Sequence, residues 1–336
     1  MTMSLPLGKI DPEILNKLIG DYTQRGGRVL VGAGIGEDAA IIDMGEVYLV
    51  AKTDPITHVT REIGYYAVHV NANDIGAMGG KPLWFLATLL MPAWSGVQEI
   101  EKIFSQIAGT CRALGVVYCG GHTEVTSSVN NPVVIGHMLG EVKARHLKPS
   151  SGALKGDALV MTKSAAIEGT AIIATEKADE LAAFLPNETI LKAQNYLHNP
   201  GISVVKEAGI AAAFEEVHAL HDPTEGGIAT GIFEMATASH LGVAVYEDAI
   251  PVTEETRKLC EHYHVSPLGT FASGSLIIAV SREAADALIR SLTKQGIPAA
   301  RIGELLDEAA GMSLKKRGVT RPLRVYHQDE LSRIFG

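Results

Sequence analysis

Two runs of alternating strand-like and helix-like segments constrain the fold of this chain more than any other feature of its sequence. The spacing and type of the apolar residues distinguish the two kinds of segment. In the first run the predicted strands are 47–52, 84–90 and Val133–Val142, and the predicted helices are 61–78 and 100–114. The helix 100–114 carries one apolar stripe and is predicted to end at Gly115, because glycine commonly ends helices.

A second run of the same kind begins near Asp157. Its predicted strands are Ala158–Thr162, 243–246 and 276–280, and its predicted helices are 190–197, 228–238 and 283–295. The stretch 143–156 between the two runs is polar and contains proline, serine and glycine, which is typical of a domain boundary. The sequence therefore predicts two mixed α/β domains, residues 1–150 and 151–336.

Charge and composition narrow the class of protein. The formal net charge is −9, and no long segment has an excess of lysine and arginine, so we expect no nucleic-acid partner and no membrane partner. Residues 1–10 lack the pattern of a signal peptide, and no apolar run is long enough for a membrane span, so we expect a cytoplasmic location. The cysteines Cys111, Cys119 and Cys260 have no paired spacing, and we expect buried thiols.

The segment 32–38 is the richest local signal for chemistry. It has three glycines followed by Glu37 and Asp38, and a strand-like run follows. A dinucleotide-binding fingerprint would lead into a helix, and a Walker A loop would need Gly-Lys-Ser or Gly-Lys-Thr, which is absent from the sequence. Two interpretations remain: a turn that brings backbone amides and two Mg²⁺ ligands to a phosphate, or a tight loop whose acids face solvent.

Two further acids lie near the ends of predicted elements. Asp54 follows a strand, and Asp74 lies near the end of a helix that also contains Asn71 and Asn73. Acids on separate elements suit Mg²⁺, which uses few carboxylates and completes its octahedron with phosphate oxygens and water. Alternatively, Asp54 caps a helix and Asn73 and Asp74 lie on a solvated helical face.

Two polar segments complete the set of candidates. Residues 120–124 are predicted to form a loop in which His122 either contacts phosphate, acts in catalysis or only stabilises a turn. Cys119 and His122 resemble half of a zinc site, but the second half is missing. The turn 221–227 precedes a helix whose free amides could bind an anion, or it is an ordinary helix entry. The segment 271–275 before a strand is equally ambiguous.

Taken in order, these segments resemble one protein superfamily. GIGEDAAII, TDP, NANDIGAMGGKP, GGHTEV, DPTEGGI and ASGSL are similar to motifs of the aminoimidazole ribonucleotide (AIR) synthetase superfamily, from about Gly34 to Ser275. The superfamily also contains selenophosphate synthetase, thiamine monophosphate kinase and the hydrogenase maturation protein HypE. The sequence resembles the HypE-like, AIR synthase-related branch most.

The resemblance implies a two-domain PurM-like α/β fold, a homodimer formed through the N-terminal sheets, and Mg-ATP in a cleft near that interface. It implies phosphoryl transfer to, or dehydration of, a small-molecule or protein-borne acceptor. It implies metal ligands at Glu37, Asp38, Asp54 and Asp74; nucleotide contacts at Gly34, Gly36, Thr53, Asn73, Gly120, Gly121, Thr123, Gly226 and Gly227; and catalytic positions at His122, Glu124 and Asp222.

The chain departs from the patterns of the named relatives at several positions. HypE ends in a cysteine and has a basic residue where Glu225 stands, the kinase has an aspartate where His122 stands, and selenophosphate synthetase has a reactive residue earlier than Cys111. The substrate therefore stays open. A nucleotide-binding scaffold protein without turnover and a thiamine-monophosphate-kinase-like enzyme are the alternatives.

Overall fold

The computed structural model describes residues 8, 10–23, 26–57 and 61–335, so part of the segment 1–10 and Gly336 lie outside the described residues. The helices are α1 Pro12–Tyr22, α2 Ile63–Ala77, α3 Val97–Leu114, α4 Ile167–Glu176, α5 Ala178–Leu181, α6 Asn187–Gln194, α7 Val205–Ala212, α8 Gly227–Ala238, α9 Glu254–His262, α10 Ala285–Lys294 and α11 Ser332–Phe335. The strands are β1 Val29–Val31, β2 Ala40–Asp43, β3 Tyr48–Ile56, β4 Lys81–Pro92, β5 Val117–Thr126, β6 Val133–Val142, β7 Ala158–Thr162, β8 Val217–His221, β9 Leu241–Tyr246, β10 Ile277–Val280, β11 Ala299–Asp307, β12 Met312–Lys316 and β13 Val319–Pro322.

The first six strands form one sheet in the order β1-β2-β3-β6-β4-β5. Neighbouring strands are antiparallel except for β4 and β5, which are parallel and are joined by the amphipathic helix α3. This helix buries Ile103, Ile107 and Cys111 against the sheet and ends at Gly115 in the left-handed conformation, with φ 69°. The predicted helix, its stripe and its end are therefore confirmed.

The two faces of this sheet differ in their cover. Helices α2 and α3 lie over one face, where alternate side chains such as Val134 and Met138 are fully buried. The other face presents alternate, partly exposed apolar side chains, among them Trp84, Leu86 and Leu139. An apolar face that stays partly exposed is a candidate contact surface.

The remaining strands form a second sheet in the order β13-β12-β9-β11-β7-β10-β8. Its pairs are antiparallel except for β12 and β9, and helix α8 packs beside β8 and β9. Strands β7 and β10 lie inside the sheet and are buried along their whole length, in agreement with their unbroken apolar sequences. Both predicted strands are confirmed, as is the mixed α/β class.

Helix α2 joins the two halves of the molecule. All of its residues except Tyr65 and Val70 are buried, because it packs against the first sheet on one side and against α7 on the other. Gly76 allows this approach, since a β-carbon there would lie 3.3 Å from Ala208. A polar side chain on α2 is therefore placed inside the protein, at the junction of the two halves.

Three predictions about local structure are wrong. Residues 120–124 are not a loop but the middle of β5, which continues along β4 to Thr126. Cys119 lies on that strand and is exposed, whereas Cys111 and Cys260 are buried. Asp54 lies inside β3 and does not cap a helix. The domain boundary near residue 150 stays a prediction. None of the helices in the described ranges is long and apolar enough to cross a membrane.

Candidate metal and nucleotide site

Three buried carboxylates meet at the junction of the two halves. Asp38, Asp74 and Asp222 each offer an oxygen atom, and these atoms lie within 4.8 Å of one another. We call this group the aspartate cluster. All three residues are buried, with exposed fractions of 6%, 5% and 3%. Buried like charges at this distance repel strongly, and a shared cation would offset that repulsion, so the cluster is a candidate metal site.

Each aspartate comes from a different element whose position the fold fixes. Asp38 follows the glycine loop and precedes β2, Asp74 lies in the last turn of α2, and Asp222 follows β8 directly. The buried packing of α2 between the two halves brings Asp74 to the other two. The cluster therefore depends on contacts between segments that are far apart in sequence.

Two carboxylates of the cluster have oxygen atoms without a partner in the described part of the chain. Both oxygens of Asp222 and Oδ2 of Asp74 are buried and have no hydrogen-bond partner among the described residues. Burial raises the pKa of Asp222 well above its usual value, and the charges of Asp74 and Asp38 raise it further. Burial also raises the pKa of Asp74, which the nearby Lys52 opposes. Unpartnered buried oxygens with this electrostatic cost fit the hard oxygen ligands of Mg²⁺.

Lys52 stands between two of the acids. Its Nζ lies 3.0 Å from Oδ1 of Asp74 and 3.4 Å from Oδ2 of Asp54. Burial acts to lower the pKa of Lys52, but the attraction of Asp74, Asp54 and Asp38 outweighs it and raises that pKa. Asn71 fixes the strand here, because its side chain accepts from the backbone N–H of Asp54 at 2.9 Å. Asp54 thus lies at the edge of the aspartate cluster, and Lys52 connects it to Asp74.

A histidine and a serine hold Asp38 in place. Nδ1 of His221 lies 2.9 Å from Oδ1 of Asp38, and Nε2 lies 3.1 Å from Oε2 of Glu234. The hydroxyl of Ser150 lies 3.3 Å from Oδ2 of Asp38. Burial lowers the pKa of His221, but the two carboxylates raise it well above its usual value. His221 therefore contacts Asp38 on one side and Glu234 on the other and orients Asp38, as partners of metal-ligating carboxylates do.

The glycine loop borders the cluster on its other side. The backbone N–H of Ser151 donates to Oε1 of Glu37 at 3.3 Å, while Oε2 of Glu37 is buried without a partner in the described chain. Burial raises the pKa of Glu37, and the charge of Asp38 adds to the effect. Gly34 and Gly36 line a cavity of about 310 Å³ together with Glu225 and His327. The loop can therefore present its backbone to a ligand beside the acids.

The structure does not bring the β5 candidates to the cluster within one chain. Asp54, Gly136, Ala87 and Gly121 are paired in one row across four neighbouring strands. Three strand spacings of about 4.8 Å place Gly121 roughly 14 Å from Asp54. The other β5 candidates flank Gly121 on this exposed edge strand: Gly120, His122, Thr123 and Glu124. Within the described residues, the side chains of His122 and Glu124 contact each other, with 3.2 Å between Nε2 and Oε2.

Two further candidates, Asn73 and Thr53, have contacts that differ from those expected. The side chain of Asn73 donates to the carbonyl of Ile202 at 2.8 Å and accepts from the N–H of Val204 at 2.8 Å, so its amide ties the two halves together. Thr53 donates to the carbonyl of Gly136 at 2.9 Å.

At the start of α8, three backbone amides already donate hydrogen bonds. The N–H of Gly226 donates to Asp329 at 2.8 Å, and the N–H of Gly227 donates to the carbonyl of Thr224 at 3.1 Å. A third amide, that of Ala229, donates to a carbonyl at 2.9 Å. These three donors are already used, so the contacts of Gly226 and Gly227 with a nucleotide stay a prediction that these amides do not support.

Sequence reasoning missed Lys52, Ser150 and the supporting role of His221. Lys52 lies in a strand, where a lysine usually faces solvent, and Ser150 lies in the polar stretch between the halves. The signal that could have found two of them is adjacency, since Lys52 precedes the Thr53-Asp54 pair and His221 precedes Asp222. Asp222 lies among the metal-ligand candidates, and its predicted role in catalysis stays a prediction.

Comparisons with known proteins show what this chain is similar to. The family model "AIR synthase related protein, N-terminal domain" matches residues 36–142, and the corresponding C-terminal domain matches residues 155–313. A protein of Methanocaldococcus jannaschii named for hydrogenase expression and formation is 28% identical over 315 residues, which cover 90% of this chain and 91% of that protein. A selenide, water dikinase of Dechloromonas aromatica is 32% identical over 275 residues, with 79% and 74% covered.

Two HypE proteins extend the comparison. The carbamoyl dehydratase HypE of Cupriavidus necator is 28% identical over 251 residues, which cover 74% of this chain and 68% of that protein. The solved structure of a HypE in complex with ATP superimposes with a TM-score of 0.68 at 23% identity, covering 95% of this chain and 92% of that one. At 23% identity, the likeness to this solved structure shows a shared fold alone.

Proposed function

This chain belongs to the AIR synthase-related family, and on that premise we propose that it is an enzyme that uses Mg²⁺ and ATP to activate an acceptor by phosphoryl transfer. The aspartate cluster carries the proposal, because its three buried carboxylates lie close together and two of them, Asp74 and Asp222, have oxygen atoms without a partner in the described chain. A divalent cation would satisfy these oxygens and offset the repulsion. The relatives named as dikinase and as dehydratase support an ATP-dependent reaction.

The residues of the chain divide the work of such a reaction. Asp38, Asp74 and Asp222 would hold Mg²⁺, with Glu37 and Asp54 at the edge of the site. Bound Mg²⁺ neutralises charge on the phosphate oxygens during transfer. Lys52 lies between Asp54 and Asp74, and its charge opposes the rise that burial causes in the pKa of Asp74. The glycine loop would offer backbone amides close by, and Gly36 lets it pack against α8, because a β-carbon there would lie 2.7 Å from the carbonyl oxygen of Glu234.

The branch of the family suggests the kind of acceptor. The relatives are named for hydrogenase formation and for carbamoyl dehydration, so we propose an acceptor oxygen that phosphorylation makes easier to remove. The acceptor would be a small molecule or a group carried on a partner protein. In a thiamine-monophosphate kinase the acceptor would instead be a phosphate. The likeness of this chain to a solved structure of that kind is one of fold alone, because the sequence identity is 16%.

A homodimer would complete the site. The partly exposed apolar face with Trp84, Leu86 and Leu139 is a candidate contact surface, and β5 is an exposed edge strand beside it. A second copy paired there could bring His122 and Thr123 towards the cluster of its partner. Replacement of Leu139 with glutamate should convert a dimer into a monomer in light scattering. A wild-type monomer at all concentrations would end this part of the proposal.

Turnover tests the proposed function. ADP release is measured with Mg-ATP in the presence of candidate amide, alcohol and phosphate acceptors, for the wild type, Asp54→Asn and Asp179→Asn. Asp179 is exposed on α5, so its variant controls for the chemical change alone. We expect one acceptor class to stimulate the wild type and the control, and Asp54→Asn to abolish the stimulation. Nucleotide binding without stimulation by any acceptor would instead indicate a scaffold protein without turnover.

A further inference from the structure

A cavity of about 950 Å³ lies in the second half of the molecule, apart from the aspartate cluster. Its walls come from helix α9, the β12–β13 hairpin and the segment 323–326. None of the three aspartates of the cluster is among the described residues that line it. A cavity of this volume can hold an organic molecule of the size of a cofactor.

The lining of this cavity is rich in cations. The lining acids are Glu247, Asp248 and Glu261, and the cations outnumber them: Arg257, Lys316, Arg317, Arg321 and Arg324. The chain as a whole has the opposite balance, with a formal net charge of −9. Charges of one sign in a cleft with low-dielectric walls concentrate their field and attract the opposite charge. This cavity therefore favours an anion in a protein that otherwise repels anions.

The acids on one side of the cavity do not neutralise the cations around them. Glu247 contacts two cations, with Nζ of Lys316 at 2.7 Å and Nη2 of Arg321 at 2.6 Å, so one negative charge meets two positive ones. Asp248 accepts at 3.0 Å from the backbone N–H of Arg317. The guanidinium of Arg317 forms no ion pair with a carboxylate in the described ranges.

The arginines on the other side have weak contacts. Nη2 of Arg257 lies 3.5 Å from the carbonyl oxygen of Val252, and no described carboxylate forms an ion pair with it. The guanidinium carbon of Arg324 lies 4.4 Å from the centroid of the Tyr326 ring, and Nη2 lies 3.7 Å from Oε1 of Glu330. Guanidinium donors that are not taken by a carboxylate can bind a phosphate or carboxylate group in pairs.

The backbone at the tip of the β12–β13 hairpin is strained. Arg317 has φ +46° and Gly318 has φ +81°, and together they join the paired residues Lys316 and Val319. Glycine and asparagine adopt this left-handed conformation at little cost, whereas an arginine is strained in it. Strained residues often lie at functional sites. The strained residue here is one of the cations without an ion pair that line the cavity.

The cavity also has an apolar floor. Ile250, Leu268 and Leu314 line it and belong to the hydrophobic core of the second half, with exposed fractions of 7%, 8% and 4%. A small inorganic ion would leave this surface in contact with water. A ligand with an apolar body would cover it, and burial of apolar area would add to the affinity.

We infer that this cavity binds a small organic anion, in which a phosphate or carboxylate group is attached to an apolar body. The anionic group takes hydrogen-bond donors of Arg257 and Arg317, and the apolar body covers the floor. The inference goes beyond the proposed function and does not depend on it, because the site shares no described residue with the aspartate cluster.

The experiment compares four probes by isothermal titration calorimetry at neutral pH and low salt, in EDTA and without nucleotide. Phenyl phosphate and benzoate have both a charge and an apolar ring, benzyl alcohol has only the ring, and inorganic phosphate has only the charge. The proteins are the wild type, Arg257→Gln, Arg317→Asn and the control Arg290→Gln, which changes an exposed arginine of α10 that does not line the cavity.

We expect the wild type and the control to bind phenyl phosphate or benzoate more tightly than benzyl alcohol and inorganic phosphate. The affinity should fall roughly tenfold in Arg257→Gln and in Arg317→Asn, because each variant loses charge-assisted hydrogen bonds. Asparagine suits the left-handed backbone, so Arg317→Asn should be at least as stable as the wild type in thermal unfolding while it binds more weakly. Added salt should weaken the binding of the charged probes.

Several results would overturn the inference. They are a wild type that binds neither organic anion, equal binding by the wild type and both variants, and equal binding of benzyl alcohol and the anions. Displacement of phenyl phosphate by Mg-ADP would also overturn it, because the probe would then occupy a nucleotide site. A wild type that fails to bind Mg-ATP would instead refute the proposed function and leave this site unaffected.

Discussion

Replacement of Asp222 with asparagine should stabilise the metal-free protein and remove its response to Mg²⁺. Asp222 is buried, neither of its carboxylate oxygens has a partner in the described chain, and burial raises its pKa well above the usual value. Asparagine keeps the size of the side chain but removes the charge. A metal ligand typically lowers the stability of the metal-free protein and contributes to function when the cation is bound.

The magnitude follows from the spacing of the cluster. Oxygens of Asp38, Asp74 and Asp222 lie within 4.8 Å of one another. At an effective dielectric constant of about 20, each ionised pair at this distance repels by about 3.5 kcal/mol. Asp222 takes part in two pairs, but protonation at its raised pKa relieves much of the repulsion. We therefore expect a net gain of about 1 to 3 kcal/mol in the free energy of unfolding at pH 8.

The assay is chemical unfolding at pH 8 with EDTA and with saturating Mg²⁺. The wild type should be less stable than Asp222→Asn in EDTA and should gain stability when Mg²⁺ is added, because a ligand that binds only the folded state stabilises it. The exposed control Asp179→Asn should follow the wild type in both conditions. Calorimetry should show that Mg-ATP binds Asp222→Asn roughly a hundredfold more weakly, which corresponds to about 2.7 kcal/mol.

Two results would refute this reasoning. If Asp222→Asn is less stable than the wild type in EDTA, the carboxylate has a stabilising role that the lack of partners does not reveal. If Mg²⁺ stabilises the variant as much as the wild type, Asp222 does not bind the cation.

Three further predictions concern single residues. Lys52→Met should destabilise the metal-free protein by about 3 kcal/mol, because it leaves Asp74 without its partner at 3.0 Å, and Mg²⁺ should restore part of the loss in unfolding experiments. Gly36→Ala should cost about 2 kcal/mol or more, since φ is +79° and a β-carbon would lie 2.7 Å from a carbonyl oxygen; Gly45→Ala, with φ +99° and open space, should cost less. Burial raises the pKa of Asp329 to about 7, so the folded wild type keeps a proton that the unfolded chain releases near pH 4. Its stability relative to Asp329→Asn should therefore fall by up to about 1.4 kcal/mol per pH unit from pH 4 to 7 and then level off; a constant difference would contradict this.

Local patterns predicted much of the fold because local physics decides these elements. The strands Val133–Val142 and Ala158–Thr162 have the bounds expected from their apolar sequences. Helix α3 ends where its glycine permits a left-handed residue. Residues 120–124 were predicted wrongly because two adjacent glycines usually mark a loop. In β5 a glycine is needed at position 121 for another reason, because a β-carbon on Gly121 would collide with the carbonyl of Ala87 on β4.

The site was predictable only in part. Sequence patterns and the resemblance pointed to Asp38 and Asp74, but their meeting with Asp222 depends on how α2 packs between the two sheets. No spacing in the sequence encodes that contact. His221 and Lys52 were missed for the same reason, since each becomes important through partners more than twenty residues away. Asn73 resembled a ligand, but packing uses its amide to join the two halves.

A crystal structure of the protein with Mn²⁺ and a non-hydrolysable ATP analogue tests the central claim most directly, because Mn²⁺ replaces Mg²⁺ at oxygen sites and has an anomalous signal. We predict an anomalous peak about 2.2 Å from carboxylate oxygens of Asp38, Asp74 and Asp222, next to the phosphates of the analogue. Bound analogue with its metal elsewhere, and with the aspartate cluster unchanged, would contradict the account.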